Sequence, residues 1–166
     1  MKQPDFTKIF ADYFGAKPRK VIYELRPPPS FIHDLVFLSC LGHDATLKRS
    51  RVIIKGKTLI IPILRDCWEL YIHDKSELQT ANSMLKFSPV TDLEWIFKNN
   101  YKKTLNDDLM LDNIFVDLSY RHYESNIYTF YVTGNGWRLR FNMPDYRYKV
   151  KLQDLETPHK HMNRAT

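Results

Sequence analysis

The side chains best suited to chemistry in this sequence are its histidines. The chain has six histidines, and three of them directly precede an aspartate, in His33-Asp34, His43-Asp44 and His73-Asp74. A histidine that a carboxylate orients can act as a general base. Adjacent residues of a strand point to opposite faces, however, so the dipeptide alone does not build that geometry. We expect these dipeptides to lie in turns or at strand ends rather than in a catalytic site.

Two further groupings of reactive side chains are weaker. Cys40 lies close to His43, but no asparagine or acid stands where it would complete a nucleophilic site. His159 and His161 share a face of an extended chain, but no cysteine or carboxylate has the spacing of a metal site. The sequence also lacks a nucleophile elbow and a glycine-rich phosphate loop. We therefore predict no catalytic residue, no metal and no cofactor.

Basic residues alternate with apolar ones in the C-terminal third, over residues 137–143 and 146–152. Alternation with period two is typical of strands that bury one face. If Pro144-Asp145 forms a two-residue turn, Arg140 faces Lys149 and Arg138 faces Lys151. Like charges directly opposite one another cost stability.

Asn135-Gly136 is the strongest hairpin signal in the sequence. It places Tyr131 opposite Arg140 and Thr133 opposite Arg138, with Asp117 one strand further out. The predicted basic face then comprises Arg138, Arg140, Arg147, Lys149, Lys151 and Tyr131.

Two interpretations of this face stay open. A face with so few acids favours an anionic partner, whereas long basic side chains can also simply be solvated or protect a strand edge from aggregation. A single exposed aromatic residue, Tyr131, offers little for stacking nucleic-acid bases, so we expect an acidic protein rather than a nucleic acid.

The secondary structure that carries the basic residues is predicted to be mainly β. We expect antiparallel meander sheets that form a sandwich or half-open barrel in one domain spanning residues 1–166. Strand-like runs occupy residues 21–25, 31–40, 52–54, 58–64, 85–87, 93–97 and the meander from residue 114. Pro62 lacks an N–H group and so predicts an edge strand or a bulge.

Other segments are predicted to lie outside the sheets. Apolar residues at three- and four-residue spacing predict one short N-terminal helix over residues 1–17. Residues 99–113 are polar and predict a long loop. The polar residues 157–166 predict a tail that frays.

Length, charge and cysteine content restrict the domain number, the kind of partner and the cellular location. The chain has 166 residues, which suits one domain, and a net charge of +6, which favours acidic partners. Cys40 and Cys67 are its only cysteines and are expected to be reduced core residues. We find neither a signal peptide nor an apolar stretch long enough to span a membrane, so we expect a cytoplasmic protein.

One longer pattern carries a family resemblance. It begins with Pro28-Pro29-Ser30-Phe31-Ile32-His33-Asp34, continues through two apolar strands and ends with residues 85–90 and Leu93-Glu94-Trp95. This pattern, which covers less than half of the chain, resembles small β-rich immunity proteins that neutralise polymorphic toxins in bacteria. The resemblance implies a non-enzymatic protein that binds a toxin through an exposed surface. Many immunity proteins that cap basic nucleases are acidic, whereas this chain is basic, so an acidic toxin surface is implied.

We therefore expect a non-enzymatic, immunity-like protein that contacts an acidic partner protein through the basic face. Nucleic-acid or polyanion binding by the same face is the first alternative. An enzyme or small-ligand carrier with a pocket between sheet and helix is the second.

Overall fold

The computed structural model describes residues 20–26, 31–68, 78–98, 101, 105–117, 127–144 and 147–160. The helix predicted over residues 1–17 lies outside these ranges. The described residues form one α-helix and two antiparallel sheets, which confirms the mainly β fold class.

The elements follow one another as β1 Ile22–Leu25, α1 Phe31–Gly42, β2 Thr46–Lys48, a 3-10 helix Arg49–Arg51, β3 Ile53–Lys55, β4 Thr58–Asp66, β5 Gln79–Ser88, β6 Thr91–Phe97, β7 Asp108–Met110, β8 Asn113–Asp117, β9 Ile127–Gly134, β10 Trp137–Pro144, β11 Lys149–Asp154 and β12 His159–Lys160. Sheet A has the strand order β1-β11-β5-β4-β2-β7, with β3 also paired to β4 and β12 to β5. Sheet B has the order β6-β10-β9-β8.

The two sheets share one core. Alternate residues of β4 and β10 are buried, so each strand turns one face inward. The rings of Phe87 on β5 and Phe141 on β10 lie 4.8 Å apart and join the inner faces of the two sheets. Removing these apolar surfaces from water is the main force that holds the sheets together. The outer faces of the two sheets therefore point away from each other.

The segment 31–40, predicted as a strand, is instead the first ten residues of helix α1. Its apolar run is long for a strand, and Leu35, Leu38 and Leu41 are buried at helical spacing. The helix is joined to β8 by Ser39, whose Oγ accepts a hydrogen bond from the Ile114 N–H at 3.0 Å.

The hairpin between β9 and β10 is confirmed. Tyr131 stands opposite Arg140, Thr133 stands opposite Arg138, and the intervening Gly136 has a φ of +83°, which glycine adopts readily.

The predicted hairpin between β10 and β11 is wrong. β10 pairs with β6 on its other side, whereas β11 lies between β1 and β5 in sheet A. The chain passes from sheet B to sheet A between Pro144 and Lys149. The alternation of apolar and polar residues predicts which face of each strand is buried, but it does not predict which strand pairs with it.

The prediction that Pro62 marks an edge strand or a bulge is also wrong, because β4 is paired on both sides and its register with β5 shows no shift. The missing N–H of Pro62 is tolerated because two separate short strands, rather than one continuous strand, pair with this side of β4. Residues 58–60 of β4 pair with β3 and residues 63–64 pair with β2, so Pro62 lies between the two short neighbouring strands.

Two segments predicted to be irregular also contain strands. The loop expected over residues 99–113 contains β7, which pairs with β2. The tail expected to fray from residue 157 pairs with β5 at His159, opposite Thr80, and residues 161–166 lie outside the described ranges.

Candidate functional site

The six residues of the predicted basic face do not form one surface. Arg138, Arg140 and Tyr131 lie on the outer face of sheet B, where their inward neighbours are buried. Lys149 and Lys151 lie on the outer face of sheet A, and Arg147 lies in the turn before β11. The predicted face is therefore divided between two surfaces that point in different directions.

The arginine surface of sheet B comprises Glu94, Phe115, Tyr131, Arg138 and Arg140. Arg140 Nη2 lies 2.7 Å from Glu94 Oε2 on the neighbouring strand. The Arg138 guanidinium carbon lies 5.4 Å from the centre of the Tyr131 ring, within the range of a cation–π interaction. Tyr131 in turn stacks on Phe115 at 4.9 Å. Both guanidinium groups thus already have favourable neighbours.

Sequence reasoning left Phe115 out of the predicted face. The sequence does indicate its position, because Phe115 and Asp117 are two residues apart on one strand and therefore share the face that is predicted to be exposed. The predicted face omits Phe115 because an aromatic residue is usually expected on the buried side.

The lysine surface of sheet A comprises Thr58, Lys86, Ser88, Lys149 and Lys151. Strand register places Lys151 of β11 directly opposite Lys86 of β5, and Lys149 opposite Ser88. A like-charge cross-strand pair of the predicted kind therefore exists, but between different strands. Lys86 could not be assigned to this surface beforehand, because β5 and β11 are far apart in sequence.

The five side chains of the lysine surface line a cavity of about 290 Å³. Thr58 Oγ1 and Ser88 Oγ lie 3.1 Å apart in this cavity, with the threonine hydroxyl as donor. The cavity thus presents three ammonium groups and two hydroxyl groups to solvent.

The charges of the lysine surface are only partly balanced. Lys149 Nζ lies 3.1 Å from Glu24 Oε2, and this hydrogen bond lowers the pKa of the Glu24 carboxyl. In the part of the chain that the structure describes, neither Lys86 nor Lys151 forms an ion pair with an acid. Glu24 of β1 stands opposite Lys151 on its other side, but its carboxylate contacts Lys149 and Arg26 instead. The facing pair of Lys86 and Lys151 is therefore only partly offset, an arrangement that costs stability.

A second cavity, of about 530 Å³, lies at the C-terminal end of α1. It is lined by Val36, Ser39, Cys40, His43, Asp44, Trp68, Asp112 and Asn113. A pocket between helix and sheet was expected as an alternative, but with the helix of residues 1–17 rather than with α1.

One His-Asp dipeptide does bring its side chains together in this cavity. His43-Asp44 lies in the turn after α1, as expected, and His43 Nδ1 lies 2.9 Å from Asp44 Oδ2. Asp44 has a φ of +62°, and this left-handed turn, unlike a strand, lets the two side chains meet. Burial raises the pKa of the Cys40 thiol, which keeps it protonated and weakly nucleophilic. The geometry therefore offers an open, largely apolar pocket in which the described thiol is not activated.

The other reactive residues are dispersed. His33-Asp34 lies in the first turn of α1 rather than in a loop or at a strand end, whereas His73-Asp74 and His161 fall outside the described ranges. His159 Nδ1 lies 3.7 Å from Glu156 Oε1. Cys40 is half-buried and Cys67 is buried, and the two are not joined by a disulfide. Among the described residues, no group of three or more histidines, cysteines or acids could hold a metal ion.

Comparison with known proteins gives no relative from which a function could be inferred. No family model matches the chain, and neither a curated protein nor a solved structure matches it. None of the helices in the described ranges is long and apolar enough to cross a membrane.

Proposed function

We propose that this protein is a non-enzymatic binding protein that contacts an acidic partner protein through the lysine surface of sheet A. The observation that carries the proposal is the pairing of Lys86 with Lys151 on neighbouring strands, with no acid of the described residues in ion-pair contact with either. Carboxylates of a partner would relieve this repulsion on binding. The net charge of +6 would also accelerate encounter with an acidic surface.

The lysine surface is favoured over the arginine surface because its charges are more available. Arg140 already contacts Glu94, and Arg138 lies over Tyr131, so an acidic partner would have to compete with these neighbours. Among the described residues neither Lys86 nor Lys151 forms an ion pair, because the acid opposite Lys151 on β1, Glu24, contacts Lys149 and Arg26.

An immunity-like role specifies the kind of partner. The resemblance of residues 28–95 to immunity proteins supports a toxin as the acidic protein. In this role the protein would block the toxin by occupying its surface, and it would need no catalytic group of its own.

A second candidate function is single-stranded nucleic-acid binding by the arginine surface. It is favoured by the stack of Phe115 on Tyr131 with Arg138 above the tyrosine ring. Aromatic side chains next to cations are a common platform for unpaired bases.

Matched charge reversals separate the two functions. We compare Lys86→Glu/Lys151→Glu with Arg138→Glu/Arg140→Glu, since both change the net charge by the same amount on different faces. The probes are polyglutamate, as an acidic polypeptide, and a single-stranded oligothymidylate. Binding is followed by fluorescence anisotropy over a salt series.

We expect the lysine reversals to weaken polyglutamate binding about tenfold or more, because two attractive contacts become repulsive and about 1.4 kcal/mol corresponds to tenfold. The arginine reversals should have a much smaller effect on polyglutamate. Equal effects of the two variants would contradict the proposal. Loss of oligothymidylate binding in the arginine variant alone would support the second candidate, and circular dichroism would verify that both variants fold.

A further inference from the structure

We infer that the cavity of the lysine surface binds the phosphoryl group of a phosphomonoester. This inference rests on the proposed function and deepens it, because it names the chemical group that the partner would place in the cavity. Three observations carry it: the balance of charge, the arrangement of hydrogen-bond donors, and the repulsion between two lysines.

The charge of the cavity matches a dianion. Lys86, Lys149 and Lys151 supply three positive charges, and Glu24, which contacts Lys149 at 3.1 Å, supplies one negative charge. Because Arg26 is also paired with Glu24, this carboxylate offsets at most one of the three lysine charges, so the net charge at the cavity is at least +2. A phosphomonoester carries about −1.5 to −2 at pH 7, whereas a carboxylate or a phosphodiester carries only one negative charge.

The donors of the cavity suit a group with several acceptor oxygens. Each lysine ammonium group offers three donors. Thr58 Oγ1 donates to Ser88 Oγ at 3.1 Å, so the hydroxyl proton of Ser88 remains free for a ligand. A phosphomonoester has three terminal oxygens that can accept from several sides, whereas the two oxygens of a carboxylate lie in one plane.

The repulsion between Lys86 and Lys151 gives a reason for this position in particular. Their strands hold the two residues directly opposite each other, with no acid in ion-pair contact within the described ranges. A dianion between the two ammonium groups would replace repulsion with two attractions. The fold therefore places two facing lysines, neither of them in an ion pair with a described acid, at the wall of a cavity that two hydroxyl groups also line.

Titration with small phosphates tests the inference directly. Phenyl phosphate, inorganic phosphate and dimethyl phosphate are added to the protein, and binding is measured by calorimetry and by the NMR signals of the lysine side chains. We expect phenyl phosphate to bind at least about tenfold more tightly than dimethyl phosphate, a phosphodiester.

The pH dependence provides an independent readout. Phenyl phosphate binding should strengthen between pH 5.5 and 7.5, because the second ionisation of a phosphomonoester has a pKa of about 6. Glu24, whose pKa is lowered by its hydrogen bond with Lys149, keeps its charge over this range. Dimethyl phosphate binding should not change with pH. Equal affinities and equal pH profiles for the two ligands would overturn the inference.

Variants locate the site. Lys86→Gln/Lys151→Gln should weaken phenyl phosphate binding about tenfold or more, and Ser88→Ala should weaken it a few-fold. Lys98→Gln removes a positive charge on sheet B, at the end of β6, and should leave binding unchanged. An equal loss in the Lys98 variant would mean a general charge effect and would overturn the assignment to this cavity.

The source of the phosphoryl group is distinguished by a phosphoserine peptide and its unphosphorylated form. Tighter binding of the phosphopeptide than of inorganic phosphate supports a phosphorylated partner protein, and equal binding of the two supports a small phosphomonoester. If phenyl phosphate does not bind but polyglutamate binding still depends on Lys86 and Lys151, the phosphoryl inference is wrong and the proposed function stands. If neither depends on these lysines, both are wrong.

Discussion

The two outer sheet faces carry similar basic residues in different electrostatic surroundings. On sheet B, Arg140 stands opposite Glu94 at 2.7 Å and Arg138 lies over Tyr131. On sheet A, Lys151 stands between Lys86 on β5 and Glu24 on β1, but the Glu24 carboxylate contacts Lys149 and Arg26 rather than Lys151. The number of basic residues on a strand therefore does not decide how available their charge is. The neighbour that strand register supplies decides it, and this neighbour often comes from a distant part of the chain.

The sheets also differ beneath these faces. The inner face of sheet A contains a buried ion pair between Arg65 and Asp154, whose Nη2 and Oδ2 atoms lie 2.7 Å apart. Asp154 also accepts hydrogen bonds from Ser83 Oγ at 2.6 Å and the Val21 N–H at 2.8 Å. Asp154 thus links β11 with β4, β5 and the residue before β1. On sheet B, the buried inner-face residues of β9 and β10 are apolar or aromatic.

The largest expected effect comes from the buried ion pair of sheet A. Asp154→Asn should lower the free energy of unfolding by about 3–5 kcal/mol, because it removes the carboxylate charge from a fully buried ion pair with Arg65. Urea denaturation followed by circular dichroism measures the change. Glu94→Gln is the matched control on sheet B, and it should cost at most about 1 kcal/mol because the pair with Arg140 is exposed. If the two variants lost similar free energies of unfolding, the buried ion pair of sheet A would contribute no more to stability than the exposed pair of sheet B.

A smaller loss is expected from close packing at the end of sheet B. A Cβ atom on Gly134 would lie 2.0 Å from the Met110 carbonyl oxygen and 2.3 Å from Trp137 Nε1, which itself donates to that carbonyl at 3.1 Å. Gly134→Ala should therefore lower the free energy of unfolding by about 1–3 kcal/mol, as overpacking does. Thermal unfolding followed by tryptophan fluorescence measures it.

Gly42→Ala provides the control for this prediction. A Cβ atom at Gly42 would meet Ile114 and Leu111 side chains at 3.7 Å, an ordinary contact. Alanine is the better helix former, so we expect stability to stay equal or rise. If both variants lost the same free energy of unfolding, the close contacts at Gly134 would not explain the loss in Gly134→Ala.

The sequence predicted the buried and exposed faces of strands better than it predicted their neighbours. Trp137, Phe141 and Tyr148 are buried as their alternation indicated, and the Asn135-Gly136 turn fixed the register of β9 and β10 because that pairing is local. The partners of β11 come from β1 and β5, and no local signal specifies them.

The errors in predicting the candidate site have the same cause, because sequence patterns do not specify contacts between distant parts of the chain. The lysine surface required knowledge that β5 lies beside β11, so Lys86 could not be found from alternation alone. Helix α1 was missed because a continuous apolar run shows no clear period, and only its length favours a helix. The His43-Asp44 contact depends on a left-handed turn that sequence patterns at this position did not indicate.

The smallest predicted effect tests the comparison of the outer faces most directly, because it should have opposite signs on the two sheets. Lys86→Glu places an acid opposite Lys151 and should raise the free energy of unfolding by about 0.2–1 kcal/mol. Arg140→Glu places an acid opposite Glu94 and should lower it by a similar amount. Urea denaturation at low salt measures both changes, and added salt should reduce each of them. If Lys86→Glu did not stabilise the fold, the two lysines would not repel each other appreciably, and the main physical reason for placing an anionic partner on sheet A would be lost.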